Sequence, residues 1–209
     1  MRIMISIAAP VLASSLLLHP VTASQSMLQS AVGPDCGCTD DPPFVRNPIQ
    51  SQPVRADRDR LISELSANCA DAAIASRKLG ILADSASVGP LIGALHHRSC
   101  RVRAAAAEAL GQFKDHQAVQ PLVRALSDSD ARVRSSAAWS LAKIPDETAV
   151  PALLTAVTDK EKHVRQGAAT ALGNIGDPRA APALTRALRD PEKHVRQAAA
   201  AGLGKLRRS

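Results

Sequence analysis

Residues 164–188, VRQGAATALGNIGDPRAAPALTRAL, carry the pattern that decides the fold. An apolar stripe at helical spacing runs into a glycine, then an Asp-Pro pair, then a second apolar stripe. Gly176 supplies a stop for the first helix, and Asp177-Pro178 sets a capping carboxylate before a proline at the start of the next. Asp190-Pro191 repeats that capping logic at the following turn. The preceding units read the same way. Val133, Ala137, Ala138 and Leu141 share one helical face, as do Val119, Leu122, Val123 and Leu126. Each unit is therefore a helical hairpin.

Self-similarity fixes the period. Val102-Arg103 returns as Val133-Arg134, Val164-Arg165 and Val195-Arg196, each step being 31 residues. Leu79-Gly80 returns as Leu110-Gly111, Leu141-Ala142, Leu172-Gly173 and Leu203-Gly204. Asp84, Asp115, Asp146 and Asp177 form a third column, and Leu91, Leu122, Leu153 and Leu184 a fourth. Four columns without an insertion predict a right-handed α-α superhelix of about four and a half hairpins, 31 residues each. Composition agrees. The 209 residues include no Tyr, two Phe and one Trp, so the core must be built from small aliphatic side chains. Closely spaced helices suit such a core better than a sandwich or barrel does.

The N-terminal part reads differently. Met1-Arg2, a mostly apolar run from Ile3 to Leu12, Leu16-Leu17-Leu18 and the small residues Val21 and Ala23 make residues 1–23 an expected secretory signal, cut after Ala23. Retention as an anchor is the alternative, but Pro10, His19 and Pro20 interrupt the roughly 20 apolar residues a span requires. The expected location is secreted or periplasmic, with no membrane span after cleavage. Residues 24–55, punctuated by Gly33-Pro34, Asp41-Pro42-Pro43, Asn47-Pro48 and Gln52-Pro53, are expected to be a linker. Residues 56–209 form the repeat domain, with Arg58 to Ser66 as one further helix over its N-terminal end.

The motif V-R-x-x-A-A-x-A-L-G followed by D-x-x-A-V/A-x-P/A-L-x-x-A-L resembles the HEAT-repeat family, in the short variety named after the phycobilisome lyases. Arg134 to Leu141 and Gly176 to Leu184 carry the likeness best; in the first unit Asp71-Ala72 replaces Val-Arg. The resemblance implies an α-solenoid and says little of function. In that family, columns of Arg and Asp brace one repeat against the next, which is the expected role of Arg103, Arg134, Arg165 and Arg196, with Asp128, Asp159 and Asp190 a few residues upstream of the last three. Two enzyme types share the repeat. Deoxyhypusine hydroxylase holds iron through adjacent His-Glu pairs, and none of the six histidines here precedes a Glu. Bilin lyases act on a chromoprotein in a compartment that an export signal would leave behind.

No nucleophile elbow, phosphate-cradling glycine loop or His-Glu-x-x-His motif is present, so no catalytic residue, metal or cofactor is assigned. The net charge of +7 fits an anionic partner, but the scarcity of stacking aromatics argues against nucleic acid. The expected function is an exported scaffold that binds a protein, possessing an acidic segment, through an inner surface lined by the second helix of each hairpin. The alternatives are an enzyme or enzyme-maturation subunit related to the lyases or the hydroxylase, and an accessory module of an exported sensor or protease. Partner-binding candidates are Arg124, Arg186 and Arg189 on second helices, and Trp139 on the polar face of a first helix with Arg132, Ser136 and Lys143. Cys36, Cys38, Cys69 and Cys100 are disulfide candidates that would tie the linker to the first repeats, with zinc as the alternative. The C-terminal helix is expected to self-associate weakly through Ala198, Ala201 and Leu203.

Overall fold

The computed structural model describes residues 54–66 and 68–207. The signal segment, the cleavage point and Cys36 and Cys38 lie outside the described residues. Ten α-helices follow in order: α1 Val54–Glu64, α2 Cys69–Leu82, α3 Val88–Ala94, α4 Cys100–Phe113, α5 Val119–Ala125, α6 Ala131–Lys143, α7 Val150–Ala156, α8 Lys162–Ile175, α9 Ala181–Ala187 and α10 Lys193–Leu206. No strand occurs among the described residues. Long helices (α2, α4, α6, α8, α10) alternate with seven-residue ones (α3, α5, α7, α9), giving the expected α-solenoid. Helix α1 begins at Val54, about a turn before the expected start, because no Gly or Pro interrupts the chain after Pro53.

The aspartate column does what its spacing predicts, one step earlier in the chain than a simple helix cap would. Asp84, Asp115, Asp146 and Asp177 each accept from the backbone N–H two residues on, at 3.1, 2.8, 2.9 and 2.8 Å. What they cap is a short 3-10 turn that leads into each short helix. Gly176 closes α8 in the left-handed conformation at φ 81°, while Ala83 and Lys114 take the same role at φ 53° without a glycine's freedom. Asp190 departs from the expectation. Helix α10 starts at Lys193 with Glu192 at its cap position, and the Asp190 carboxylate is turned toward α8.

Leucines fill the space between layers. Leu79, Leu110, Leu141 and Leu172 from the long helices, and Leu91, Leu122, Leu153 and Leu184 from the short ones, have no exposed surface. Each long helix from α2 on packs directly along the next long helix, whereas each short helix packs mainly on the following long helix and, for α3 and α5, the 3-10 turn of the next unit. The close approach within the long row depends on small residues. A Cβ on Gly80 would sit 2.9 Å from the Ala109 Cα, and one on Gly167 2.9 Å from the Ala138 Cβ. Ser140 fills the place before Gly111 and donates its hydroxyl to the Ala107 carbonyl at 2.7 Å, which satisfies a buried polar group between helices. Gly173 faces Gly202 backbone to backbone.

The glycine column thus splits into two kinds of position. Gly173→Ala drives a methyl into the Gly202 backbone and is expected to cost about 2 kcal/mol through overpacking. Gly204 has open space around it, so Gly204→Ala is expected to raise stability by about 0.5 kcal/mol through reduced chain entropy. Urea denaturation of the two variants measures both signs.

Candidate interaction surfaces

The most ordered polar feature is a ladder of Arg–Asp pairs, each built the same way. Arg103 reaches Asp128 with Nε at 2.7 Å and Nη2 at 2.8 Å, Arg134 reaches Asp159 at 2.8 and 3.1 Å, and Arg165 reaches Asp190 at 2.7 and 3.0 Å. The acid stands 25 residues ahead, in the turn of the next repeat. The upstream acid supplies its backbone carbonyl instead: Nη1 of Arg134 donates to Asp128 O and Ser129 O at 2.9 and 3.0 Å. Each guanidinium therefore ties its own helix to the turn behind and the turn ahead. The carboxylates also accept from Asp130 N, Glu161 N and Glu192 N. In the first repeat Ala72 stands where the arginine would be and His97 where the acid would be, its Nδ1 accepting from Ser99 N at 3.0 Å. Burial, with Arg98 and Arg103 nearby, pushes His97 below the usual imidazole value.

Burial alone would raise the Asp128 and Asp159 carboxyls, but the arginine and backbone hydrogen bonds overcome it and hold both below the usual range. For Asp190 the bond from Arg165 is the largest influence, in the same direction. These carboxyls titrate lower in the folded chain than in the unfolded one. Their stabilisation is complete above the unfolded value of about 4 and is lost as pH falls through the lower folded values. Melting temperature is expected to hold from pH 7 to about 5 and to drop steeply below about 4. Arg134→Ala leaves Asp159, whose side chain is 14% exposed, without its partner and should cost about 3 kcal/mol. Arg134→Met with Asp159→Leu should lie within about 1 kcal/mol of the parent.

Arg124, Arg186 and Arg189 are all exposed on the short-helix face, and among the described residues their side chains make no hydrogen bond or ion pair. They do not form an unbroken basic row, because α7 lies between α5 and α9 and offers Thr155 and Thr158 at the equivalent positions. Arg186 stands on the rim of a cleft of about 230 Å³ between α7 and α9, lined also by Val157, Thr158, Ala183 and the Arg165–Asp190 pair. Trp139 is 37% exposed on the long-helix side, with Arg132 and Lys143 exposed beside it on the same helix. The structure therefore places the arginines and the tryptophan on different layers. Periodicity finds such exposed positions, but it cannot say which of two exposed faces carries a partner.

Cys69 and Cys100 open α2 and α4 and are both disulfide-bonded. No group of three or more His, Cys, Asp and Glu residues able to hold a metal ion occurs among the described residues. No described helix is long and apolar enough to cross a membrane.

Paired helices with a direct long-helix spine, capped turns and an Arg–Asp ladder define an α-solenoid of the repeat type that presents exposed side-chain columns. The HEAT-repeat pattern matches residues 58–142 and 121–204, and the chain belongs to the HEAT-repeat family, of the short phycobilisome-lyase type. No curated protein matches it. Among solved structures it is similar to a chain of the complex of CpcE and CpcF of phycocyanin lyase from Nostoc sp. PCC7120, with 28% identity and a TM-score of 0.68 over 83% of this chain and 71% of that one. A computationally designed armadillo repeat protein for modular peptide recognition shares the fold at 20% identity, with a TM-score of 0.54 over 70% and 80% of the two chains. An engineered protein does so at 23% identity and a TM-score of 0.62, over 75% and 85%.

Proposed function

We propose that this chain is an exported scaffold whose short-helix face docks an acidic segment of another protein. The observation that carries the reading is the contrast between two sets of arginines. Those of the ladder are bound on both sides, whereas Arg124, Arg186 and Arg189 project from a braced framework with no partner of their own. The phycocyanin lyase chains assemble as a complex and the designed armadillo protein recognises peptides, which supports protein binding as the role. Export rests on the signal-like residues 1–23 and on the oxidised state of Cys69 and Cys100, which fits a compartment where disulfides persist. In this reading Cys36 and Cys38 bond to Cys69 and Cys100. The exported protein then starts at Ser24, and thiol titration in denaturant without reductant finds no free thiol.

Trp139 lies on the long-helix layer and the three arginines on the short-helix layer, so the two candidate surfaces can be tested separately. Docking of an acidic segment on the arginine face should weaken with salt and lose on-rate when the charges go. The probe is a fluorescein-labelled peptide of about ten glutamates, a length that spans adjacent repeats at about 3.3 Å per extended residue. Binding is expected to fall severalfold from low to high salt, and again in the Arg124→Ser, Arg186→Ser, Arg189→Ser variant. Unchanged affinity in that variant, with its helicity intact by circular dichroism, would reject the arginine face, and loss in Trp139→Ala alone would move the site to the long-helix layer.

A second reading follows from the 28% identity to the phycocyanin lyase structure, namely a subunit of a lyase-related enzyme. Incubation with a linear tetrapyrrole and an absorbance spectrum of the repurified chain separates the two. A retained pigment band favours the lyase-related role.

A further inference from the structure

The cleft between α7 and α9 arises where two departures from the repeat pattern meet. Val157 stands in a column otherwise filled by Leu95, Leu126 and Leu188, and Ala183 in one that holds Pro90, Pro121 and Ala152 earlier in the chain. Taken one repeat ahead, Leu95 is matched with Pro121 and Leu126 with Ala152, whereas Val157 is matched with Ala183. Leu95 and Leu126 are buried as Val157 is, so the valine occupies the same place with less volume. Together the two smaller residues leave about 230 Å³. A cavity of about 150 Å³ holds a benzene ring, so a phenyl-sized side chain fits.

The polar groups of the cleft walls are already spent. Nε and Nη2 of Arg165 donate to Asp190, and its Nη1 donates to Asp159 O and Lys160 O. The Asp190 carboxylate also accepts from Glu192 N at 2.9 Å, and Thr158 Oγ1 donates to Thr155 O at 2.9 Å. A polar group buried here would give up water without gaining an equal partner, which is unfavourable. The floor, made by Val157, Ala183 and Ala187, is apolar and buried. Arg186 is exposed at the rim, and among the described residues its side chain makes no hydrogen bond or ion pair. The site thus offers an apolar interior beneath one unspent cation. We propose that the acidic segment carries one large apolar side chain, phenylalanine or leucine, which enters this cleft while a neighbouring carboxylate pairs with Arg186. The inference rests on the arginine-face reading of the proposed function and adds what selects among acidic segments, a buried anchor in place of charge alone.

The test uses the full chain and two fluorescein-labelled peptides of equal charge. Each has about five glutamates on either side of a central residue, phenylalanine in one and serine in the other, a length that spans adjacent repeats. By fluorescence anisotropy the phenylalanine peptide is expected to bind about tenfold more tightly, the order of effect that burying one such side chain supplies. That ratio should persist at high salt, where the contribution of charge is screened. Val157→Leu and Ala183→Pro fill the cleft with residues the fold already accepts in these columns, at Leu126 and Pro121. Each variant should bring the two affinities together with the melting temperature near the parent's, and either alone suffices should the other fail to fold. Equal affinity of the parent for both peptides would overturn the proposal, as would a preference for phenylalanine that survives the filled cleft. Binding of neither peptide would reject the acidic-segment reading and the anchor with it, whereas equal binding of both rejects the anchor alone.

Discussion

The constraint on which the rest depends is a fork of planar donors too large to be satisfied by one segment of chain. A guanidinium presents five N–H groups in fixed directions. Here Nη1 donates to two backbone carbonyls of the turn behind, and Nε and Nη2 donate to a carboxylate in the turn ahead. Two turns that are far apart in sequence become neighbours at a set distance, and the helices between them must stack in register. A lysine, with a single point of charge, could not fix both turns in this way. The leucine columns supply the driving force for burial, which is non-directional; the ladder and the capped 3-10 turns specify the arrangement.

The long row adds a second constraint of a steric kind. Alanine, serine and glycine at the facing positions let backbones approach, and this draws long helices together while short helices remain apart. The ladder therefore works on a row that is already closely packed, and its charges are partly screened from water by the neighbouring repeats. Partial burial strengthens the pair and makes the loss of either partner costly.

The hairpins, their 31-residue spacing, the aspartate caps and the leucine core were all legible in the sequence, because each rests on local spacing repeated four times. The direction of the arginine contacts was not. Asp128 lies six residues before Arg134 and invites a local pairing, but that distance brings the backbone carbonyl into reach while the carboxylate turns to Arg103. Asp190 resembled a helix cap for the same reason, its Asp-Pro context being local and its partner Arg165 25 residues away. The exposed positions of Arg124, Arg186, Arg189 and Trp139 followed from helical period. Their division between two layers, the arginines with the short helices and Trp139 with the long ones, followed from which helix each belongs to.

The unequal contact between the two rows also has a mechanical meaning. Long helices joined along their length form a stiff spine, and short helices that scarcely touch one another form hinged ribs. A bend that opens or closes the gap between α7 and α9 changes the width of the cleft under Arg186 while leaving the backbone contacts of the spine in place.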